Sequence, residues 1–383
     1  MEEHDFDVCV VSPGFGLSNE WICAVREAGV RLLSELELGW SRHKGKTVAV
    51  TGSNGKSTAV KWIYDSFLVA GQKAALGGNY GIPACEVVMS HPEVDWLVLE
   101  VSSFQLETVR DFSPEVGVVL NLLPNHLDRH SSMEIYRSTK ARIFGASSAE
   151  NRCLVPEELL DVFQIDLGEG NHWATFGRTS RADFYYENGQ VFHDSMSVLN
   201  LSGTLFDSPI LGSCTGAAVA AVARFCGIPY GAVEEAAQKF QPLPHRLRTL
   251  GEIDGVTYVN DSKATNLAAI AVALQACGDG ILLIAGGLPK ESDYTFVKEI
   301  LAERVRSIYL IGQVSRAMFE AWSGVCSCVE CGTLEKAFRI ATEDARKGNT
   351  ILLSPGCASF DQFGSFEERG KCFEKLFNGL KHA

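Results

Sequence analysis

Val48-Ala49-Val50-Thr51-Gly52-Ser53-Asn54-Gly55-Lys56-Ser57-Thr58 decides how this chain is read. An apolar, β-branched run enters a Gly-rich turn that ends in Gly-Lys-Ser. Apolar residues then recur at Val60, Ile63, Phe67 and Leu68 with helical spacing. The order is strand, loop, helix. Backbone N–H groups and the positive end of the helix dipole meet at such a loop, and anionic phosphate suits the spot. Lys56 would reach terminal phosphates and the Ser57 hydroxyl would sit on Mg²⁺. The loop departs from the general phosphate-loop pattern, which places four residues between its first Gly and the Gly before Lys. That register falls on Val50, whereas Gly52 and Gly55 are two residues apart. ATP binding is the first functional expectation.

Outward from the loop, strands alternate with helices, the pattern of parallel α/β domains. Strands are expected at Asp7–Val11, Val30–Leu33, Lys46–Thr51, Trp96–Glu100, Val116–Asn121, Thr257–Asn260, Gly280–Ala285, Ser307–Ile311 and Thr350–Leu353. Alternation at Phe184–Val191 suggests a hairpin inside a stretch, Arg152–Pro209, that reads poorly otherwise. A small-residue helix is expected from Gly216 to Cys226. The fold class is α/β: a central phosphate-loop ATPase domain with a mostly parallel sheet, a C-terminal Rossmann-like domain and a partial N-terminal α/β remnant. The expected boundaries are 1–42, 43–243 and 244–383.

The 383 residues carry a net charge of −13, which argues against nucleic acid or an anionic membrane as partner. No run of 18 apolar residues predicts a membrane span. The acidic start Met1-Glu2-Glu3-His4-Asp5 lacks the parts of a signal peptide, so a cytoplasmic location and free thiols for the 12 cysteines are expected. Cys326, Cys328 and Cys331 read either as a partial metal site or as small apolar residues of a strand before a helix at Leu334–Ala345.

Ligands of open α/β sheets bind beyond the carboxyl ends of strands, so polar groups there rank highest. Four clusters qualify. Glu100 ends a strand and precedes Ser102-Ser103-Phe104-Gln105. Asn121 ends the next, followed by His126-Leu127-Asp128-Arg129-His130. Carboxylate and hydroxyl oxygens suit Mg²⁺, and a His could serve a second metal. The third is His245-Arg246 with Asn260-Asp261-Ser262-Lys263-Ala264-Thr265-Asn266. Asp261 could accept from ribose hydroxyls, and Arg246 and Lys263 could neutralise charge that builds during transfer. The fourth is Ser354-Pro355-Gly356-Cys357-Ala358-Ser359-Phe360-Asp361-Gln362-Phe363.

With the loop, these clusters resemble the Mur ligases, over the stretches 51–58, 99–108, 121–130, 136–144, 245–246, 260–266 and 352–370. The last two resemble the D-glutamate-adding branch in particular. The resemblance implies that ATP phosphorylates the carboxylate of UDP-N-acetylmuramoyl-L-alanine and that the D-glutamate amine attacks the acyl phosphate. It implies that Gly52, Ser53, Asn54, Gly55, Lys56, Ser57 and Thr58 hold the ATP phosphates, with Arg246 and Asp261 also on ATP. It implies Ser57 and Glu100 on one Mg²⁺, His126 on a second, and a carbamylated Lys140 facing metal; by its residues alone Lys140 reads as a solvated helix lysine. Ser12, Pro13, Gly14, Asn79 and Ser103 would serve the nucleotide precursor. His245, Lys263, Thr265, Lys290, Ser359 and Phe366 would line the D-glutamate and acyl-phosphate side. A monomer acting in peptidoglycan precursor synthesis is the expected whole.

Two departures stand out. Only the last third of the family's UDP-binding domain is matched, from Asp7 to about Gly39. Where the family carries a His-Asn…Asn pattern toward adenine, this chain reads Leu211-Gly212-Ser213-Cys214-Thr215. Two other readings remain open: an amide ligase for another pair of substrates, and a nucleotide-binding protein without turnover.

Overall fold

The computed structural model describes residues 6–145, 151–167, 171–289 and 293–381. It divides into two compact units, Met1–Phe240 and Gln241–Ala383.

In the first unit, nine strands of the described residues form one sheet. Its order is Met196–Asn200, Gln190–His193, Phe184–Glu187, Trp173–Gly177, Arg152–Pro156, Val116–Val119, Lys46–Thr51, Trp96–Glu100 and Ala74–Gly78. Pairing is parallel from Ala74–Gly78 to Phe184–Glu187; the last two pairs are antiparallel. Lys46–Thr51, first in sequence, lies inside the sheet between Val116–Val119 and Trp96–Glu100. The strand order reverses there, which opens a crevice at the carboxyl ends. Val48 and Val50 pack into one core with Trp62, Ile63 and Phe67; Ala49 packs into the other with Leu97 and Leu99. Burial on both faces explains the unbroken apolar run.

The stretch that reads poorly, 152–209, contains two parallel strands, a helix at Leu160–Leu167 and a three-stranded meander. Its short strands are cut by Pro156 and Gly177, which hides their periodicity. The helical run Pro209–Cys226 is long and apolar enough by composition to cross a membrane, yet Ala217–Ala223 are fully buried in the core.

At the N-terminus, Val8–Val11 pairs in parallel with Arg31–Ser34 as a separate two-stranded sheet. Some 40 residues cannot build a core alone, and this segment borrows one. In the helix Glu35–Arg42, Leu36 joins the core with Leu97 and Leu99. The buried Glu37 carboxylate accepts from the backbone N–H of Arg110 (2.7 Å) and Asp111 (2.9 Å). A Cβ on Gly39 would stand 2.6 Å from the Ala84 backbone. Phe6, Val8, Val10, Phe15 and Trp21 stay exposed.

The second unit holds a six-stranded sheet in the order Arg248–Ile253, Val256–Asn260, Thr350–Leu353, Ile281–Gly286, Val305–Ile311 and Ser327–Gly332. Only the first pair is antiparallel. Ile281 and Leu283 face one core, Leu282 and Ile284 the other. The cysteine strand begins two residues later than Val325, at Ser327. Cys326, just before the strand, donates its thiol to Leu301 O (3.3 Å), and Cys328, within it, to Cys326 O (3.5 Å).

Candidate active site

The helix Lys56–Val69 starts at the end of the Lys46–Thr51 strand, with Gly55 as N-cap at φ +83°. The first N–H groups of a helix lack intrahelical partners and face whatever lies before it. Gly52 has φ +151°, and a Cβ there would come within 3.1 Å of Leu120 Cβ, so the loop needs glycine at this point. Asn121 shapes the loop from the neighbouring strand. Its Oδ1 accepts from the N–H of Ser53 (3.0 Å) and Asn54 (2.9 Å), and its Nδ2 donates to Asn54 O (3.1 Å). The Ser53 hydroxyl donates to Leu123 O and accepts from Leu123 N–H, both at 2.9 Å. Ser53 and Asn54, expected on phosphate, here spend these groups on holding the loop. Ser57 is buried and Thr58 nearly so at the head of the helix. Lys56 Nζ folds back onto Gly52 O (2.8 Å) and Ser53 O (3.0 Å).

Around that loop stand one carboxylate and a second lysine. Asn79 donates from Nδ2 to Glu100 Oε1 (2.7 Å), while Glu100 Oε2 is buried with no hydrogen-bond partner among the described residues. An orphaned buried carboxylate oxygen is costly. With the Ser57 hydroxyl it is an oxygen set that fits Mg²⁺, a cation that otherwise keeps water and phosphate ligands. Lys140 corrects the solvated reading: its side chain is 1% exposed, and Nζ donates to Thr51 Oγ1 and Gly52 O, both at 3.1 Å. Tyr-Arg-Ser-Thr-Lys looks like a polar helix face, but the helix Met133–Ala141 turns this end inward. Burial, with the nearby Lys56 ammonium, holds Lys140 well below the usual lysine range against the opposing pull of Glu100. A neutral amine is a nucleophile; an ammonium is not.

The 126–130 segment reaches back to the N-terminus. His126 sits at φ +56° with its ring edge-on to Phe104 at 4.8 Å. Such a backbone persists only where its surroundings fix it, and Arg129 N–H and His130 N–H both bond His126 O. His130, which sequence reasoning gave no role, is buried with Nε2 2.9 Å from Ser103 Oγ. Ser103, expected on substrate, is therefore engaged internally. Arg129 binds Glu107 through Nε (2.9 Å) and donates to Pro13 O (2.9 Å) and Phe15 O (3.0 Å). The Ser12-Pro13-Gly14 turn is thereby tethered to the segment carrying His126. Among the described residues, no three His, Cys, Asp or Glu side chains converge as a metal cluster.

At the position expected near adenine, Gly212–Gly216 forms a π-helical turn, a geometry frequent at functional sites. Cys214 Sγ donates to Leu120 O (3.4 Å) and accepts from Asn121 Nδ2 (3.4 Å). The turn thus abuts the phosphate loop through a thiol.

In the second unit the clusters meet at the carboxyl ends of Val256–Asn260 and Thr350–Leu353, adjacent parallel strands. His245 and Leu247 both have positive φ, +60° and +44°, flanking Arg246. The bend is held by Asp261, whose Oδ1 accepts from Leu247 N–H (3.1 Å) and Oδ2 from Ser354 Oγ (2.9 Å). Burial pushes the Asp261 carboxyl up to about 7, against these hydrogen bonds and Arg246. Asp261 is therefore a buried brace as well as a candidate for ribose. His245 is also buried, with Nδ1 3.0 Å from Asn260 Nδ2 and 3.5 Å from Glu374 Oε1. Desolvation lowers its pKa, opposed by Glu374. A Cβ on Gly370 would strike His245 Nδ1 at 2.2 Å, so a glycine is required beneath the ring. Lys263 Nζ lies over the Phe366 ring (5.2 Å), Thr265 is half-buried and Ser359 buried. Gly356 N–H bonds Ala264 O (2.8 Å), joining the third and fourth clusters. Lys290 lies outside the described residues.

The Mur ligase middle domain matches residues 50–223, and the Mur ligase, glutamate ligase domain matches residues 245–357. The UDP-N-acetylmuramoylalanine--D-glutamate ligase of Acidobacterium capsulatum is 35% identical over 97% of this chain and 82% of its own length. The ligase of the same name from Myxococcus xanthus is 37% identical over 98% of this chain and 84% of its own. Among solved structures, MurF ligase from Thermotoga maritima in complex with ADP superposes with TM-score 0.66 at 17% identity, covering 100% of this chain and 97% of that one. E. coli FolC in complex with ADP gives 0.66 at 16% identity, covering 95% and 98%; at such identities the two structures speak for the fold. On the two domain matches, the full-length relatives and the phosphate loop with its buried carboxylate and lysine, the chain belongs to the Mur ligase family of ATP-dependent amide ligases.

Proposed function

We propose that the chain joins D-glutamate to UDP-N-acetylmuramoyl-L-alanine, with ATP cleaved to ADP and phosphate, in the cytoplasm and as a monomer. The observation that carries the ATP half is the unpartnered Glu100 Oε2 beside the Gly52–Thr58 loop and the buried Lys140. The Asp-Ser-Lys-Ala-Thr-Asn segment and the names of the relatives at 35–37% identity support the substrate pair. Mg²⁺, held by Ser57 and Glu100, would neutralise phosphate charge and orient the transferred group. Lys56 swings from Gly52 O to the terminal phosphates. Arg246 and Lys263 stabilise charge as the acyl phosphate forms and collapses. The D-glutamate carboxylates pair with Lys263 and Lys290 and accept from the Thr265 and Ser359 hydroxyls.

Lys140 takes up CO₂ as a carbamate in this reading. The neutral amine attacks the CO₂ carbon, its N–H proton leaves, and a buried neutral group becomes an anion. That anion, with His126, would hold a second Mg²⁺, for which the described side chains gather no cluster of three His, Cys, Asp or Glu. The isotope test is direct: ¹³C-bicarbonate should give one carbamate carbon signal that is absent in Lys140→Met.

A coupled assay for phosphate release with the alanyl precursor, D-glutamate and ATP tests the whole reading. Release that requires all three is the expected result; none from the folded chain refutes it. A second reading, nucleotide binding without turnover, draws on the π-turn at Gly212–Gly216 that replaces the family's His-Asn pattern. ADP binding without phosphate release would favour it.

A further inference from the structure

The helix Phe366–Leu380 carries in its first turn a cation that the chemistry above leaves unused. Arg369 is 0% exposed. Among the described residues its hydrogen bonds go to uncharged oxygens: Nε to Ser262 Oγ (3.0 Å), Nη2 to Ser262 O (2.8 Å) and Cys357 O (3.1 Å), and Nη1 to Ala358 O (3.3 Å). Burying a guanidinium without a carboxylate bonded to it is expensive; four oxygens around it must hold something that matters. They belong to two loops, one following Val256–Asn260 and one following Thr350–Leu353. A third loop packs on the same group. A Cβ on Gly287 would come within 3.2 Å of Nη1, and Leu288 bridges Ala358 by two backbone hydrogen bonds, at 2.9 and 3.1 Å.

Beside these acceptors stand the residues expected to meet the amino acid. Lys263 follows Ser262, Ser359 follows Ala358, and the Ser262 hydroxyl donates to the carbonyl of Phe366 (2.8 Å). A planar fork fixes both the distance and the angle between the groups it bridges, which a flexible ammonium does not.

We infer that Arg369 is a positioning residue: it sets the spacing of Lys263 and Thr265 against Ser359 and Phe366, and so the affinity for the amino-acid substrate. This rests on the reading that those side chains face D-glutamate. The experiment compares wild type, Arg369→Lys and Ser262→Ala in the full chain. It reads KM for D-glutamate, KM for ATP, thermal unfolding, and hydrogen exchange in peptides covering 261–266 and 356–360.

Arg369→Lys should raise KM for D-glutamate roughly 10-fold or more, with KM for ATP within about 2-fold, because small misplacements of binding groups are felt steeply. Exchange should rise in both loops and stay unchanged in Ile281–Gly286. Ser262→Ala should move the same quantities in the same direction by less, and carries the test if the lysine variant does not fold. Unchanged exchange in the two loops, an equal rise of both KM values, or a lower melting temperature with unaltered kinetics each overturns the inference. If wild type releases no phosphate with D-glutamate, the substrate reading has failed, and the exchange comparison alone decides whether Arg369 couples the loops.

Discussion

The phosphate loop of the first unit and the paired loops of the second are both built at the carboxyl ends of parallel strands, yet they treat a buried carboxylate in opposite ways. Around Gly52, Glu100 Oε2 has no donor among the described residues, and Lys140 is buried against neutral oxygens. Around Asp261 the polar groups answer one another: Leu247 N–H and the Ser354 hydroxyl donate to its carboxylate, and Asn260 and Glu374 flank His245. The first region leaves a buried carboxylate oxygen unanswered. The second is a finished frame from which a few side chains project. Stability is given up in one and invested in the other.

Substitutions can break or sharpen that contrast. The largest effect is expected at Glu100→Gln, which keeps the shape and the Asn79 contact but removes the anion. The rate of phosphate release should fall about 10³-fold with little change in melting temperature. A large loss of stability instead would mean that Glu100 is part of a frame.

Lys140→Met should lower kcat about 10²-fold and yet raise the melting temperature by roughly 2–4 °C, since a buried amine is replaced by an apolar chain of similar length. A drop in melting temperature would erase the distinction between the two regions.

Asp261 titrates inside the second frame. Its folded-state pKa, about 7, lies above that of an unfolded carboxyl. The folded chain then holds a proton that the unfolded chain has lost, so stability from this group is complete at low pH and falls as pH rises toward 7. The slope is about 1.4 kcal/mol per pH unit, or roughly 2 kcal/mol between about pH 5.5 and 7. Urea midpoints of wild type should show this decline, and those of Asp261→Asn should not.

The smallest effect is expected at Asn121→Ala. It removes the acceptor shared by two loop amides, and KM for ATP should rise about 10-fold, equivalent to about 1.4 kcal/mol.

The strand–loop–helix at 46–69 was legible because both ends of the loop carry their own signals: β-branched residues buried on two faces before it, and helical apolar spacing after it. The expected bounds of Lys46–Thr51 and Trp96–Glu100 match those observed. What stayed hidden were polar residues whose environment comes from distant chain. Lys140 sits in a helix that looks solvated, and its burial depends on packing against Thr51 and Gly52. Arg369 lies between two glutamates and a glycine, and only its acceptors at 262, 357 and 358 reveal its task. His130 and Asn121 likewise bond groups 27 and 67 residues or more away. Periodicity reports which face is apolar; it is silent on which buried polar group answers which.

The seal made by Leu36, Glu37 and Gly39 has a consequence for how such a chain can vary. The seam between the N-terminal strands and the central unit lies ahead of this helix, at Ser34, whose hydroxyl caps it. A protease that trims the exposed strands should stall there and leave a folded remainder.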